Sequence, residues 1–257
     1  MRKALFLHTQ KTAGTSIQAM ARWAYGNKNV VSHADYIELT REGCERFPFV
    51  SGHFGFEFAR PLMNGRYCFT FLRDPIERLI SLHAFCAARN SDDIPIYYLA
   101  RRNDLEGFLK AAAIEPYRGS LWNHQVWQLA VGRDVPPLVF IDDFQPSKLL
   151  AMAKRNLRAF DYVGFVETFD EDATAIFKAI GVESPDLLSF NVSASKPSVE
   201  SLPASTVVLL RELTALDRKL YRHAWLRYGL PRRLTSRAGQ IRARFATPAG
   251  SDPLLRR

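Results

Sequence analysis

The chain has 257 residues, 47% of them hydrophobic, with 14 Gly and 14 Pro, so it can bury a sizeable core as one domain and is not a disordered polymer. Its formal charge is +9, but residues 231–257 hold seven Arg against one Asp and carry +6 of it, leaving the body at about +3; charge alone therefore does not point to a nucleic-acid partner. Cys44, Cys68 and Cys86 are odd in number and lack close metal-ligand spacing, which fits reduced thiols in a cytoplasmic protein, and neither a signal-peptide apolar region nor an 18-residue apolar run occurs.

In chain order, Leu5-Phe6-Leu7 is an apolar run short enough for a buried strand, and a tight loop of one Gly, one Lys and three hydroxyls follows it in Lys11-Thr12-Ala13-Gly14-Thr15-Ser16. From Ile17 the pattern is helical, with Ala19, Met20 and Trp23 on one side. Such a strand, loop and helix offers backbone N–H groups and the positive end of the helix dipole to a phosphate or sulfate, and Lys11 adds a full charge. An ordinary turn capped by Thr15 or Ser16 explains the same residues.

Asn27 to Asn29 reads as a turn, and Val30 to Tyr36 stays open between strand and loop. Phe47 to Gly52 predicts a strand that delivers His53 and Phe54 to the end of a parallel sheet, where ligands bind. Arg66 to Leu72 predicts a second rich strand, stopped by Arg73-Asp74-Pro75. Asp74 as N-cap, Pro75 at the first helical position and Glu77 three residues past the cap start a helix that should reach about Arg89. Residues 94–132 are helical in pattern, with Asp104 capping Leu105 to Ala113, and this insertion is the natural place for an acceptor pocket. A buried strand is expected over Pro137 to Ile141, ending at Asp142-Asp143, then a helix from Ser147 to about Phe160, a strand over Tyr162 to Val166 and a helix from Asp170 to Ile180. After a Ser/Pro/Asn-rich loop at 186–203, one long helix is expected over Ala204 to Tyr228, with Val208, Leu209, Leu213, Leu216, Leu220 and Tyr221 as its stripe and Gly229 and Pro231 ending it. Strands alternating with helices predict an α/β fold, a doubly wound parallel sheet with helices on both faces. The whole is one domain over residues 1–230, followed by a basic, flexible tail at 231–257 that could touch an acidic polymer or a membrane surface.

The first loop is not that of a nucleoside triphosphatase, because Lys11 precedes Gly14 and no Gly lies four residues upstream of the pair. Asp142-Asp143 would serve a magnesium-dependent nucleotide kinase or hydrolase, the alternative reading, although an Asp pair at a strand end is more often a cap and turn. Arg73 and Ser81, the latter two helical turns past Asp74, form a second anion point that a plain capped helix leaves unexplained. His53 after Gly52 is a candidate base, with His33 as rival and His124 and His8 weaker; His8 is expected at the sheet edge. Asn123 and Gln125 are candidates to line an acceptor site, and Trp23 and Trp225 are expected in the core.

These residues resemble a known family. The run LFLHTQKTAGTS is similar to the 5′-phosphosulfate loop of carbohydrate sulfotransferases related to the heparan sulfate 2-O- and 6-O-sulfotransferases, and TFLRDPIERLIS to their 3′-phosphate motif. GHF at 52–54, LWNHQVWQLA at 121–130, KRNLRAFDYVGFVETFDE at 154–171 and LDRKLYRHA at 216–224 extend the likeness. The resemblance implies a P-loop-like fold and 3′-phosphoadenosine 5′-phosphosulfate as cofactor. Lys11, Thr12, Ala13, Gly14, Thr15 and Ser16 would hold its 5′ end, and Arg73 and Ser81 its 3′-phosphate, with no metal. Lys196 lies in a stretch that resembles the segment closing over the nucleotide. His53 matches the catalytic His of the 2-O-sulfotransferases, but their His-Gly-His is Ser51-Gly52-His53 here, so a two-His arrangement is not expected. His33, in His-Ala-Asp-Tyr, resembles the His-Ala-Asp-Trp of the 6-O-sulfotransferases. The acceptor would be a hydroxyl on a carbohydrate or glycoconjugate.

Overall fold

Five stretches of apolar residues, buried on both faces, form the strands β1 (Ala4–Leu7), β2 (Val30–Val31), β3 (Phe49–Gly52), β4 (Tyr67–Leu72) and β5 (Tyr162–Phe165). The computed structural model describes residues 1–33, 35–114, 116–132, 141–182 and 197–233. All pairings are parallel, in the order β2-β3-β1-β4-β5. Leu7 lies opposite Gly52 on one side and Thr70 on the other, so the chain leaves neighbouring strands at His8, His53 and, three residues beyond Thr70 and just past Leu72, at Arg73. Between β3 and β4 the chain crosses from one side of β1 to the other, and in open parallel sheets the crevice beyond the carboxyl ends at such a switch is where ligands sit.

The helices are α1 (Gly14–Tyr25), α2 (Asp35–Cys44), α3 (Phe56–Leu62), α4 (Pro75–Ala87), α5 (Pro95–Arg102), α6 (Leu105–Lys110), α7 (Arg118–Leu121), α8 (His124–Ala130), α9 (Pro146–Asn156), α10 (Phe169–Ala179), α11 (Ala204–Leu213) and α12 (Ala215–Ala224). On one sheet face Phe6, Phe69 and Phe71 pack with Ile17 and Met20 of α1 and Ile176 and Phe177 of α10. Phe6 and Phe69 stack at 4.9 Å, and fully burying such a side chain contributes about 1.5–3 kcal/mol. The other face packs Leu5, Val50 and Cys68 against α3, α8, α9 and α12. A third apolar cluster, with Leu79, Phe108 and Leu210, joins α4, α6 and α11 beside the sheet.

Asp74 accepts from the N–H groups of Ile76 and Glu77 and Asp104 from that of Gly107, as their spacing predicts. Several expectations are corrected. Trp23 is 57% exposed, because α1 turns Ile17, Met20, Ala21 and Tyr25 inward and Trp23 away. Trp225 is partly buried and packs on the core. The long terminal helix is two helices that break at Thr214, whose Oγ1 bonds the Leu210 carbonyl at 2.7 Å, and Val208 is exposed. Asn123 Oδ1 accepts from the N–H groups of Leu216 and Asp217 at 2.7 and 3.1 Å, so it caps the start of α12 instead of lining an acceptor site.

Gly229 does not end the helix. The chain passes through a π-turn at Trp225–Gly229 and stays helical over 230–233, where Arg232 pairs with Asp172 at 3.4 Å and stacks on Tyr162. The first residues of the basic tail are thus docked on β5, and residues 234–257 lie outside the described ones. Of the strand expected at Pro137 to Ile141, residues 137–140 also lie outside, and Ile141–Asp143 is a 3-10 turn. The three cysteines are buried free thiols. Among the described residues no helix is long and apolar enough to cross a membrane.

Candidate active site

Beyond β1 the loop closes on itself: Thr12 donates both its N–H (3.3 Å) and its hydroxyl (2.7 Å) to the Thr9 carbonyl. Lys11 (φ 67°) and Ala13 (φ 61°) are both left-handed, a strain of about 1–3 kcal/mol each that persists where the surroundings demand it. Ala13 occupies the N-cap of α1 and offers no side-chain acceptor, so neither Thr15 nor Ser16 caps the helix. The N-cap thus supplies no side-chain acceptor to the start of α1, where the Gly14 and Thr15 amides begin the helix. Gly14 is needed because a Cβ there would lie 1.7 Å from His8 Nε2, so the helix start is pressed directly against that ring. Thr15 is exposed and Ser16 buried.

Lys11 has no carboxylate partner among the described residues; its Nζ lies 3.7 Å from the centre of the Phe85 ring. Burial, then the Arg73 charge, brings its pKa down to about 8. Arg73 Nη1 donates to the Lys11 carbonyl at 3.2 Å, and its carboxylate neighbour Glu77 stands back at 3.9 Å. Gln125 clamps the Arg73 backbone from both sides, accepting from its N–H at 3.1 Å and donating to its carbonyl at 3.0 Å. Gln125 is therefore a positioning residue for Arg73 and does not line an acceptor surface. Ser81 is 3% exposed and lies one turn from Glu77 and one turn from Phe85 along α4. These neighbours touch Arg73 and Lys11, so Ser81 shares the face of α4 that meets the loop.

His8 is not at a sheet edge. It follows the central strand, is 4% exposed, and stacks on Phe6 at 5.1 Å. Its ring centre lies 4.3 Å from that of His53, and His33 completes a triangle at 5.8 Å from His53 and 5.9 Å from His8. Each of the three rings brings a nitrogen within 4.8 Å of the others, the only such metal-capable group among the described residues. The arrangement of several histidines that Ser51-Gly52-His53 did not predict is thus assembled from three separate segments. His53 Nδ1 lies 3.0 Å from the His8 carbonyl; a carbonyl only accepts, so the proton sits on Nδ1 and Nε2 carries the lone pair. Burial lowers the His53 pKa to about 4, with the His33 and Lys11 charges acting the same way against the raising effect of the His8 carbonyl. His33 is exposed and strained at φ 46°. Burial and then Arg22 lower its pKa. His124 binds the Gly119 carbonyl at 2.8 Å.

A sequence profile of the sulfotransferase family matches residues 2–221. The chain belongs to the sulfotransferase family. The match takes in all of Lys11, His33, His53, Arg73 and Ser81, while no curated protein matches the sequence. This sulfotransferase is accordingly a transferase with an α/β domain, and its carboxyl-end crevice is the candidate active site. Lys196 lies outside the described residues. Asp142 is paired with Arg118 at 2.7 Å, which engages one member of the acid pair that the magnesium reading needs.

The structure adds two residues to those named from the sequence, Phe85 and Arg89, which stacks on Phe85 at 4.1 Å, and it moves His8 from a sheet edge to the sheet centre and Gln125 from an acceptor surface to the Arg73 backbone. The series Glu77, Ser81, Phe85, Arg89 at i, i+4 spacing was the available signal for Phe85 and Arg89.

The buried rings also make the sulfotransferase acid-sensitive. His124 is 8% exposed, and burial, with the Arg78 charge next, lowers its pKa from 6.5 to about 3; His8 is lowered for the same first reason, with His53 next. Below 6.5, and for His124 down to about 3, the unfolded chain binds protons that the folded chain does not, so this contribution to stability is full above pH 6.5 and falls as acid is added. Urea unfolding at pH 7 and pH 5 should show a loss of about 1.4 kcal/mol per pH unit for each such ring, and H124N should flatten the slope by one ring's worth.

Proposed function

We propose that this sulfotransferase transfers a sulfuryl group from 3′-phosphoadenosine 5′-phosphosulfate to a hydroxyl of a carbohydrate or glycoconjugate. The observation that carries the reading is the pairing, at one crevice, of a lysine without a carboxylate partner among the described residues, beside a helix start with no side-chain cap, and a histidine whose basic nitrogen is fixed by a carbonyl. The donor set fits an anionic nucleotide: a start of α1 with no side-chain cap, Lys11 in the loop before it and over Phe85, and Arg73 locked by Gln125 with Ser81 on the adjacent face. Three buried free thiols support a reducing, cytoplasmic setting.

When bound, the nucleotide supplies an activated sulfuryl group and a leaving phosphate that gains negative charge as its bond to sulfur breaks. Lys11 and the α1 amides stabilise that charge, preorganised by the strained loop so that little rearrangement accompanies the reaction. Arg73 and Ser81 would hold the 3′-phosphate and so orient the donor toward the acceptor. His53 Nε2 takes the proton of the attacking hydroxyl. Its low pKa keeps it unprotonated at neutral pH, and the negative charges of a bound nucleotide oppose the burial and the Lys11 charge that depress it.

The test is transfer of label from sulfur-labelled donor into a mixed pool of saccharides and glycoconjugates, with a chelator present throughout. Label covalently attached to saccharide is the expected result. Nucleotide turnover that stops with chelator and returns only with magnesium would overturn the reading in favour of a kinase or hydrolase.

A further inference from the structure

His8, His33 and His53 come from the ends of β1, β2 and β3, and each presents a ring nitrogen within 4.8 Å of the other two. A zinc-class ion bound at about 2.0–2.1 Å would need those nitrogens to close by roughly an ångström, within the reach of the exposed His33 side chain. His53 is already oriented as a ligand, since its Nδ1 is tied to the His8 carbonyl at 3.0 Å and its Nε2 is left to bind; a carbonyl on the far nitrogen is the usual support of a metal-bound imidazole. His8 contributes an independent sign: its Nδ1 is buried with no hydrogen-bond partner, in a ring held between Phe6 and the backbone at Gly14. A polar atom so placed costs stability unless something meets it.

We propose that His8, His33 and His53 form a three-histidine site for one divalent ion of the zinc, cobalt or copper class. An all-imidazole set selects these ions over magnesium or calcium, which require oxygen ligands. Lys11 and Arg22 act on these rings as positive charges and oppose any cation, so affinity must come from ligand bonds and not from the field. Three protein ligands leave the fourth position of a tetrahedral ion open. An ion there engages the lone pair of His53, so occupancy would switch off sulfuryl transfer. That consequence rests on the proposed function; the binding site itself does not.

The experiment is a cobalt titration of the untagged protein, read as visible absorption. Wild type should develop the strong bands of four-coordinate cobalt, saturating at one ion per chain, and zinc should bleach them. H33A, at an exposed position, and H53A should each weaken binding by more than about 100-fold, beyond the 10–100-fold typical of losing a group one step further out. Absence of the bands in wild type, or bands unchanged in both variants, overturns the proposal. Neither reading depends on nucleotide or on transfer, so a failed metal site and a failed sulfotransfer assignment are told apart.

Discussion

Replacing Lys11 with alanine should lower kcat for sulfuryl transfer by about 10²–10³, the usual cost of one preorganised group facing developing charge, and leave the thermal midpoint unchanged or raised. The two halves of this expectation have the same cause. Lys11 is half-buried, over Phe85 and beside Arg73, and its pKa falls to about 8. A cation kept there without a carboxylate weakens the free protein and is useful only when an anion arrives. K11R, which keeps the charge on a differently shaped head group, should recover part of the rate. A large fall in midpoint with a proportionate fall in activity would make Lys11 a structural residue.

The second large effect concerns the base. H53A should lower kcat by about 10²–10⁴ while nucleotide binding persists, because the role proposed for His53 is toward the acceptor and not the donor. H33A serves as the comparison. The His33 charge lowers the His53 pKa, so its removal should move the acid limb of the pH–rate profile to higher pH without abolishing transfer. If H33A abolishes transfer and H53A spares it, the base is His33. The short distances within the cluster explain why sequence could name both residues but not choose between them.

What could be read from the sequence was mostly local. The strand, loop and helix from Leu5 to Tyr25 and the Asp74-Pro75 helix start follow from apolar runs and caps that lie within a few residues, and the structure agrees with both. The histidine cluster joins residues 8, 33 and 53 only because β1 and β3 are neighbours and end in register, which pattern does not reveal. Asn123 and Gln125 looked like amides on a helix surface; both are 1% exposed, and their partners, α12 and Arg73, are 50 or more residues away. The terminal helix read as one because its apolar period continues across Thr214, whereas the break is imposed by a side-chain bond to Leu210 and by Asn123 capping from another element. Helical spacing with Ala19 and Met20 points Trp23 inward, yet the face of α1 is set by Ile17, Met20 and Ala21 against Phe6 and Phe69.

The central claim is that the crevice at Lys11 and Arg73 takes a 3′-phosphorylated adenine nucleotide. Its most direct measurement is the thermal midpoint with and without 3′-phosphoadenosine 5′-phosphate, in chelator, for wild type and R73A. At 100 times its dissociation constant the nucleotide should stabilise wild type by about 2.7 kcal/mol, roughly 5–10 °C for a chain of this size, and R73A far less at the same concentration. A wild-type midpoint that does not move would contradict the assignment.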